Sequence, residues 1–198
     1  MFEQMDSRDN PKAKQKNNRP SLRSYALGLL AKREYSRAGL AAKLKARQQQ
    51  DVQVQHPSQL VDVEQERAQM IGRVTEQTIE RILDEFSEKK WLSDERFSQV
   101  LARQKSARMG NRALSFQLKQ QGVQAQTASQ AIAGLEDEAA RAKDLIANKL
   151  NRRLTAHAWD EPLWTIQEKQ KLIQFLLRRG FSSSAINQAF DELTEQTT

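Results

Sequence analysis

The sequence contains no cysteine, which excludes a disulfide framework and thiolate metal sites and fits a reducing compartment. Glycine and proline are scarce, seven and four in 198 residues. Sandwiches and barrels need turn residues at short intervals, so this scarcity argues against an all-β fold. No apolar run approaches the ~18 residues of a membrane span; the densest early stretch is ALGLLA at 26–31. The opening MFEQMDSRDN has no apolar core and does not read as a secretory signal. The two histidines, His56 and His157, lie far apart in irregular segments, and no GxxxxGK[ST], GxGxxG or HExxH motif occurs. Glu136-Asp137-Glu138 could be drawn around magnesium, but an acidic first turn at a helix start explains it better. Aromatics make up 6%, too few for a sequence-reading single-strand binder. The sequence therefore predicts no enzyme, no catalytic residues, no metal and no cofactor, in a soluble cytoplasmic protein.

Charge and helix-forming residues are abundant. Lys plus Arg number 32 against 25 Asp plus Glu, giving a net +7. Hydrophobic residues are 38%, and the mean hydropathy of −0.79 implies a thin core. Residues 1–20 lack apolar periodicity and read as a disordered basic tail.

Beyond the tail the chain repeats. VTEQTIERILDEF (74–86), VQAQTASQAIAGL (123–135) and FSSSAINQAFDEL (181–193) superpose on their apolar residues. Val74, Val123 and Phe181 correspond, as do Ile79, Ala128 and Ile186, and the spacing places each set on one helical face. Upstream, LAAKL (40–44), LSFQL (114–118) and LIQFL (172–176) form a second recurring element. In the last two copies it ends at Gly122 and Gly180, the left-handed position that closes a helix. Thr75 and Ser182 then stand where the next helix needs an N-cap, and Gln124 is a poor substitute. An earlier helix opens each unit, with Ser21 and Ser93 as caps for the first two. The expected fold is all-α, an elongated curved array of three tandem three-helix, helix-turn-helix-like repeats: 21–92, 93–136 and 137–198. Aligned positions differ by 74 residues before the turn (40 to 114) and 49 after it (74 to 123), so unit one holds a 25-residue insertion within 47–73. Part of it, around 58–71, suits helix; the remainder reads as a mobile loop.

Charge segregates by element. Opening and middle helices sum to +6 over 21–48, +6 over 96–122 and +5 over 139–181, whereas the closing helices carry −2 over 75–90, −3 over 124–138 and −3 over 182–198. Stacked repeats would turn this into a basic band suited to a polyanion. The candidate contacts are Arg103, Lys105, Arg108, Arg112 and Lys119 in unit two, and Arg141, Lys143, Lys149, Arg152, Arg153, Arg178 and Arg179 in unit three. Trp159 and Trp164 suit either a partner anchor or plugs beneath a loop; Trp91 suits packing between repeats.

Several ordered motifs resemble the bacterial RecX family: REYSRAGLAAKL (33–44), WLSDERF (91–97), RMGNRALSFQLKQQGV (108–123) and FLLRRGFSSSAI (175–186). The resemblance implies a monomeric, curved helical regulator that binds RecA and its nucleoprotein filament on single-stranded DNA. It also implies inhibition of filament extension, ATP hydrolysis, strand exchange and coprotease activity, with roles in homologous recombination, DNA repair and the SOS response. Weak, non-specific affinity for single- and double-stranded DNA is implied as well, and no membrane association. The chain departs from the family pattern at Gly39, where a Glu usually partners the Ser36 cap. Asn111 stands in place of a proline before Arg112, and the insertion is longer than usual. Two other readings stay open: a stand-alone helix-turn-helix DNA-binding protein built on LSFQLKQQGVQAQTASQAIAGL, and a helical scaffold whose acidic face docks a basic partner.

Overall fold

The computed structural model describes residues 20–55, 63–154 and 164–195, with the side chains of 51–55, 63–71 and 151–154 outside the described residues. The described residues form nine helices and no strand: α1 (Leu22–Leu30), α2 (Arg37–Gln55), α3 (Val63–Glu88), α4 (Asp94–Ser106), α5 (Asn111–Gln120), α6 (Ala125–Ala133), α7 (Glu138–Leu154), α8 (Ile166–Arg178) and α9 (Ser183–Glu195). The best-packed helix pairs all fall within consecutive triplets: α1 on α2 and α2 on α3, then α4, α5 and α6 on one another, then α7 and α8 on α9. Three tandem three-helix repeats result.

Each triplet owns a small core, because its helices have one apolar stripe apiece and nowhere else to bury it. Leu40, Leu44, Ile79, Leu83 and Phe86 fill the first. Phe97, Leu118, Val123 and Ala128 fill the second. Ile146, Leu172, Leu176, Phe181, Ile186 and Phe190 fill the third. The recurring leucine pairs are thus the inner face of every middle helix.

Local chemistry sets the helix ends. Ser21 and Ser93 accept the N–H groups of Ser24 and Arg96, each at 3.2 Å, and Ser182 accepts that of Ala185 at 3.2 Å. Gln124 opens α6 with no side-chain bond. Thr165 and Glu168 close a reciprocal capping box on α8. Gly122 and Gly180 adopt φ of +74° and +79°, a conformation that an L side chain pays for in strain.

The first unit departs from the repeat. Most of the expected loop is helix: α2 runs on to Gln55 and α3 begins at Val63, so the insertion lengthens a helical hairpin. Gln48 of α2 donates to the Thr75 hydroxyl of α3. Thr75 therefore lies inside α3 and is not an N-cap, contrary to the sequence expectation. The same continuity displaces Val74, which sits five residues before Ile79 and so about 140° away around a continuous helix; it is 59% exposed. Val123 and Phe181 stay buried because they precede their helices in the turn.

Residues 1–19, 56–62, 155–163 and 196–198 are outside the described residues; the tail, His56, His157 and Trp159 fall there. Trp164 is half-buried, edge-on to Phe190 with centroids 5.1 Å apart, and serves as a core plug. Trp91 packs its ring 5.6 Å from Phe86.

Candidate functional site

Successive repeats meet through one recurring joint, in which the start of a middle helix docks on the next unit. At the first joint the N–H of Arg37, first residue of α2, donates to Asp94 Oδ1 at 2.7 Å. At the second, the N–H of Asn111, first residue of α5, donates to Glu138 Oε1 at 2.6 Å. Asp94 and Glu138 both begin the opening helix of the following unit. Each carboxylate therefore accepts an N–H at the start of the preceding unit's middle helix while standing in the first turn of its own, where the helix dipole favours negative charge.

The glycine turns form the other half of the joint. Ser36 caps Gly39 N–H at 3.0 Å while its hydroxyl donates to Gln121 O at 2.6 Å. Without a capping Glu at position 39, Ser36 ties two repeats together and is 1% exposed. At the second joint Gly110 and Arg112 donate their N–H groups to Arg179 O at 2.9 Å and Gly180 O at 3.1 Å. A Cβ on Gly110 would stand 2.2 Å from Phe181 N, and one on Gly180 would stand 2.6 Å from Ala113. Backbone meets backbone there, and only glycine leaves room.

An arginine locks each joint. Arg96 donates to Glu34 at 2.6 Å and to the carbonyls of Lys90 and Trp91. Arg141 is 4% exposed and donates to the carbonyls of Glu136, Ser106 and Met109 and to Asn111 Oδ1. Arg141 was expected in the solvent-facing basic band; the structure instead places it in the interior, because its planar fork of donors is what four converging acceptors require. Burial pushes its pKa down, opposed by the charges of Glu138, Asp137 and Glu136.

The remaining expected cations divide by environment. Lys143 is half-buried and paired with Glu192 at 2.8 Å, which raises the lysine's pKa and lowers the glutamate's through the shared hydrogen bond. It holds α7 to α9. In unit one, Arg23, Arg37 and Lys45 are likewise paired, with Glu85, with Glu80 and Asp84, and with Glu76. Arg103, Lys105, Arg108, Arg112, Lys119 and Arg178 are exposed and form no ion pair among the described residues. For those of unit two the reason is compositional, since neither α5 nor α6 offers an acidic residue to neutralise them.

Two further cations, Lys149 and Arg179, come together at the second joint. Arg179 Nη1 donates to Arg108 O at 3.0 Å, and the Gly180 carbonyl holds the Arg112 N–H. Lys149 Nζ and Arg179 Cζ lie 3.9 and 4.7 Å from the Phe175 ring centroid. Lys149 and Arg179 thus share the Phe175 ring, Arg179 reaches across to the Arg108 backbone, and the exposed Arg108 and Arg178 stand next to these contacts in the chain. Arg103 and Lys105 belong to the last turn of α4, leading toward it. Lys119 lies two turns along α5 from Arg112, beside Phe116. Arg152 and Arg153 end α7, with side chains outside the described residues.

Sequence reading missed the joint residues Asp94, Asn111 and Glu138 as a set. The signal was available: an acidic residue opens the first helix of units two and three. No group of metal-ligating side chains occurs among the described residues, and no described helix is long and apolar enough to cross a membrane.

Fold and surface together define a tandem three-helix-repeat protein with a cationic inter-repeat joint. A family model described as RecX, third three-helix domain, matches residues 136–190. The regulatory protein RecX of Herbaspirillum seropedicae is 31% identical over 171 residues, covering 86% of this chain and 89% of that protein. That of Chromobacterium violaceum is 30% identical over 168 residues, covering 85% and 88%. The crystal structure of RecX from Lactobacillus salivarius shares the fold, with a TM-score of 0.60 at 17% identity over 87% of this chain and 94% of that one. The chain belongs to the RecX family of regulatory proteins.

Proposed function

We propose that the protein is a non-enzymatic negative regulator of the RecA recombinase, acting by binding RecA and its filament on single-stranded DNA. Bound there, it inhibits filament extension, ATP hydrolysis, strand exchange and coprotease activity, in the cytoplasm, as a monomer of units 21–92, 93–136 and 137–198. The observation that carries this reading is the set of cations at and beside the second joint, Lys149 and Arg179 on the Phe175 ring with the exposed Arg108 and Arg178 next to them, none in an ion pair among the described residues. Unneutralised guanidinium and ammonium groups crowded together repel one another, so they favour an anionic partner. A nucleoprotein filament offers phosphates and acidic side chains within one repeat. Rigidly jointed units could then hold neighbouring recombinase subunits in one arrangement and shift the population away from the growing or hydrolysing form.

The groove-reading helix-turn-helix alternative receives less support, because α6 carries neither Arg nor Lys and so lacks the cations that read guanine and neutralise phosphates. Single-strand-dependent ATP hydrolysis by the cognate RecA, measured while this protein is titrated in, tests the proposal. Inhibition at saturating binding is expected; unchanged hydrolysis would overturn it.

A further inference from the structure

A hollow of about 690 Å³ lies between α5 and α6, walled by Arg112, Phe116 and Lys119 on one side and Ser129, Ile132 and Ala133 on the other. A second, of about 330 Å³, shares Asn111, Ile132 and Ala133 with it and continues past Glu136 and Asp137 toward Ser184 and Gln188 of α9. The two make one furrow crossing from the second repeat to the third. Phe116 stands in its first half with 62% exposure, the most exposed aromatic among the described residues. Arg112 precedes it by four residues and Lys119 follows it by three, so all three lie along one side of α5.

The furrow's two ends differ in sign. Arg112 and Lys119, neither in an ion pair among the described residues, flank the apolar half; Glu136 and Asp137 flank the polar half. A nucleic-acid strand laid along it would meet carboxylates at the second end. A polypeptide carries charges of both signs and an apolar anchor, and it alone complements the whole surface.

We infer that this furrow docks a polypeptide segment of the partner. An apolar side chain seats against Phe116 and Ile132, a carboxylate beside it meets Arg112 and Lys119, and a cation further along meets Glu136 and Asp137. The inference rests on the regulator reading and adds to it the surface that meets recombinase protein, apart from the Arg108, Arg178 and Arg179 surface that suits phosphate.

The test uses the full chain and cognate RecA filaments assembled on poly-dT. With Phe116→p-benzoylphenylalanine, irradiation should crosslink the protein to the RecA polypeptide. Phe116→Ser, at an exposed position that carries no charge, should raise the Kd for the filament at least tenfold while affinity for bare poly-dT changes less than twofold. A crosslink to the strand, or equal loss on bare poly-dT, would make the furrow a nucleic-acid site and overturn the inference. Crosslinks only within the chain or to a second copy would overturn it too. If Phe116→Ser binds and inhibits like the wild type, the furrow is rejected and the regulator reading stands. If the wild type neither binds nor inhibits RecA, the regulator reading falls and takes the furrow with it.

Discussion

Glu138 Oε1 accepts the backbone N–H of Asn111 at 2.6 Å, so the first residue of α7 caps the first residue of α5. The other carboxylate oxygen takes the Ser182 hydroxyl at 2.7 Å, and Ser182 in turn caps α9. One side chain thus ties the start of a middle helix of one repeat to the start of the closing helix of the next. The best-packed helix pairs lie inside the triplets, so the relative placement of repeats depends on a few polar contacts of this kind.

Arg141 carries the heaviest load at that joint. Arg141→Ala leaves four acceptors without their donor and should cost on the order of 3 kcal/mol, read as a lowered urea midpoint. Arg141→Lys should recover little of this, because a point ammonium cannot span acceptors arranged for a fork. Arg112→Ala, at an exposed position, should stay within about 0.5 kcal/mol of wild type.

Gly180→Ala combines left-handed backbone with a Cβ 2.6 Å from Ala113. It should destabilise the second joint by more than the roughly 1 kcal/mol of the conformational strain alone. Amide exchange of Gly110 and Arg112, whose N–H groups bond across this turn, should accelerate before that of the α1–α3 core. Uniform acceleration throughout would show that the repeats do not open separately.

Charge reversal separates binding from folding. Arg108→Glu with Arg178→Glu should weaken filament binding and flatten its salt dependence, since each neutralised phosphate on a single strand contributes about −0.7 to the slope of log K against log salt. Helical circular dichroism should be unchanged. By contrast, Leu118→Ala, in the fully buried core of the second repeat, should cost about 2–5 kcal/mol with the cationic surface chemically intact.

Acid should loosen the first repeat. Arg23, and then Lys89, lower the Glu85 pKa from 4.5 to about 2 through hydrogen bonds. A depressed carboxylate pKa stabilises the fold fully above about 4.5 and loses that contribution as pH falls toward about 2. The melting temperature should drop across this window, and less steeply in Glu85→Gln. Because the pair is solvent-exposed, added salt should shrink the difference.

The sequence by itself determined the helices, their threefold repetition and the glycine turns, because spacing of leucines, caps and left-handed glycines are properties of neighbouring residues. It determined as well that cations concentrate in opening and middle helices. Only the tertiary structure decided which cations remain free. Lys143 meets Glu192 and Arg23 meets Glu85 from helices far apart in the chain, and Arg141 disappears into a joint assembled from three backbone carbonyls and one side-chain oxygen. Local pattern fixes a residue's helix and face; whether its charge faces water or an acceptor depends on what packing brings opposite it.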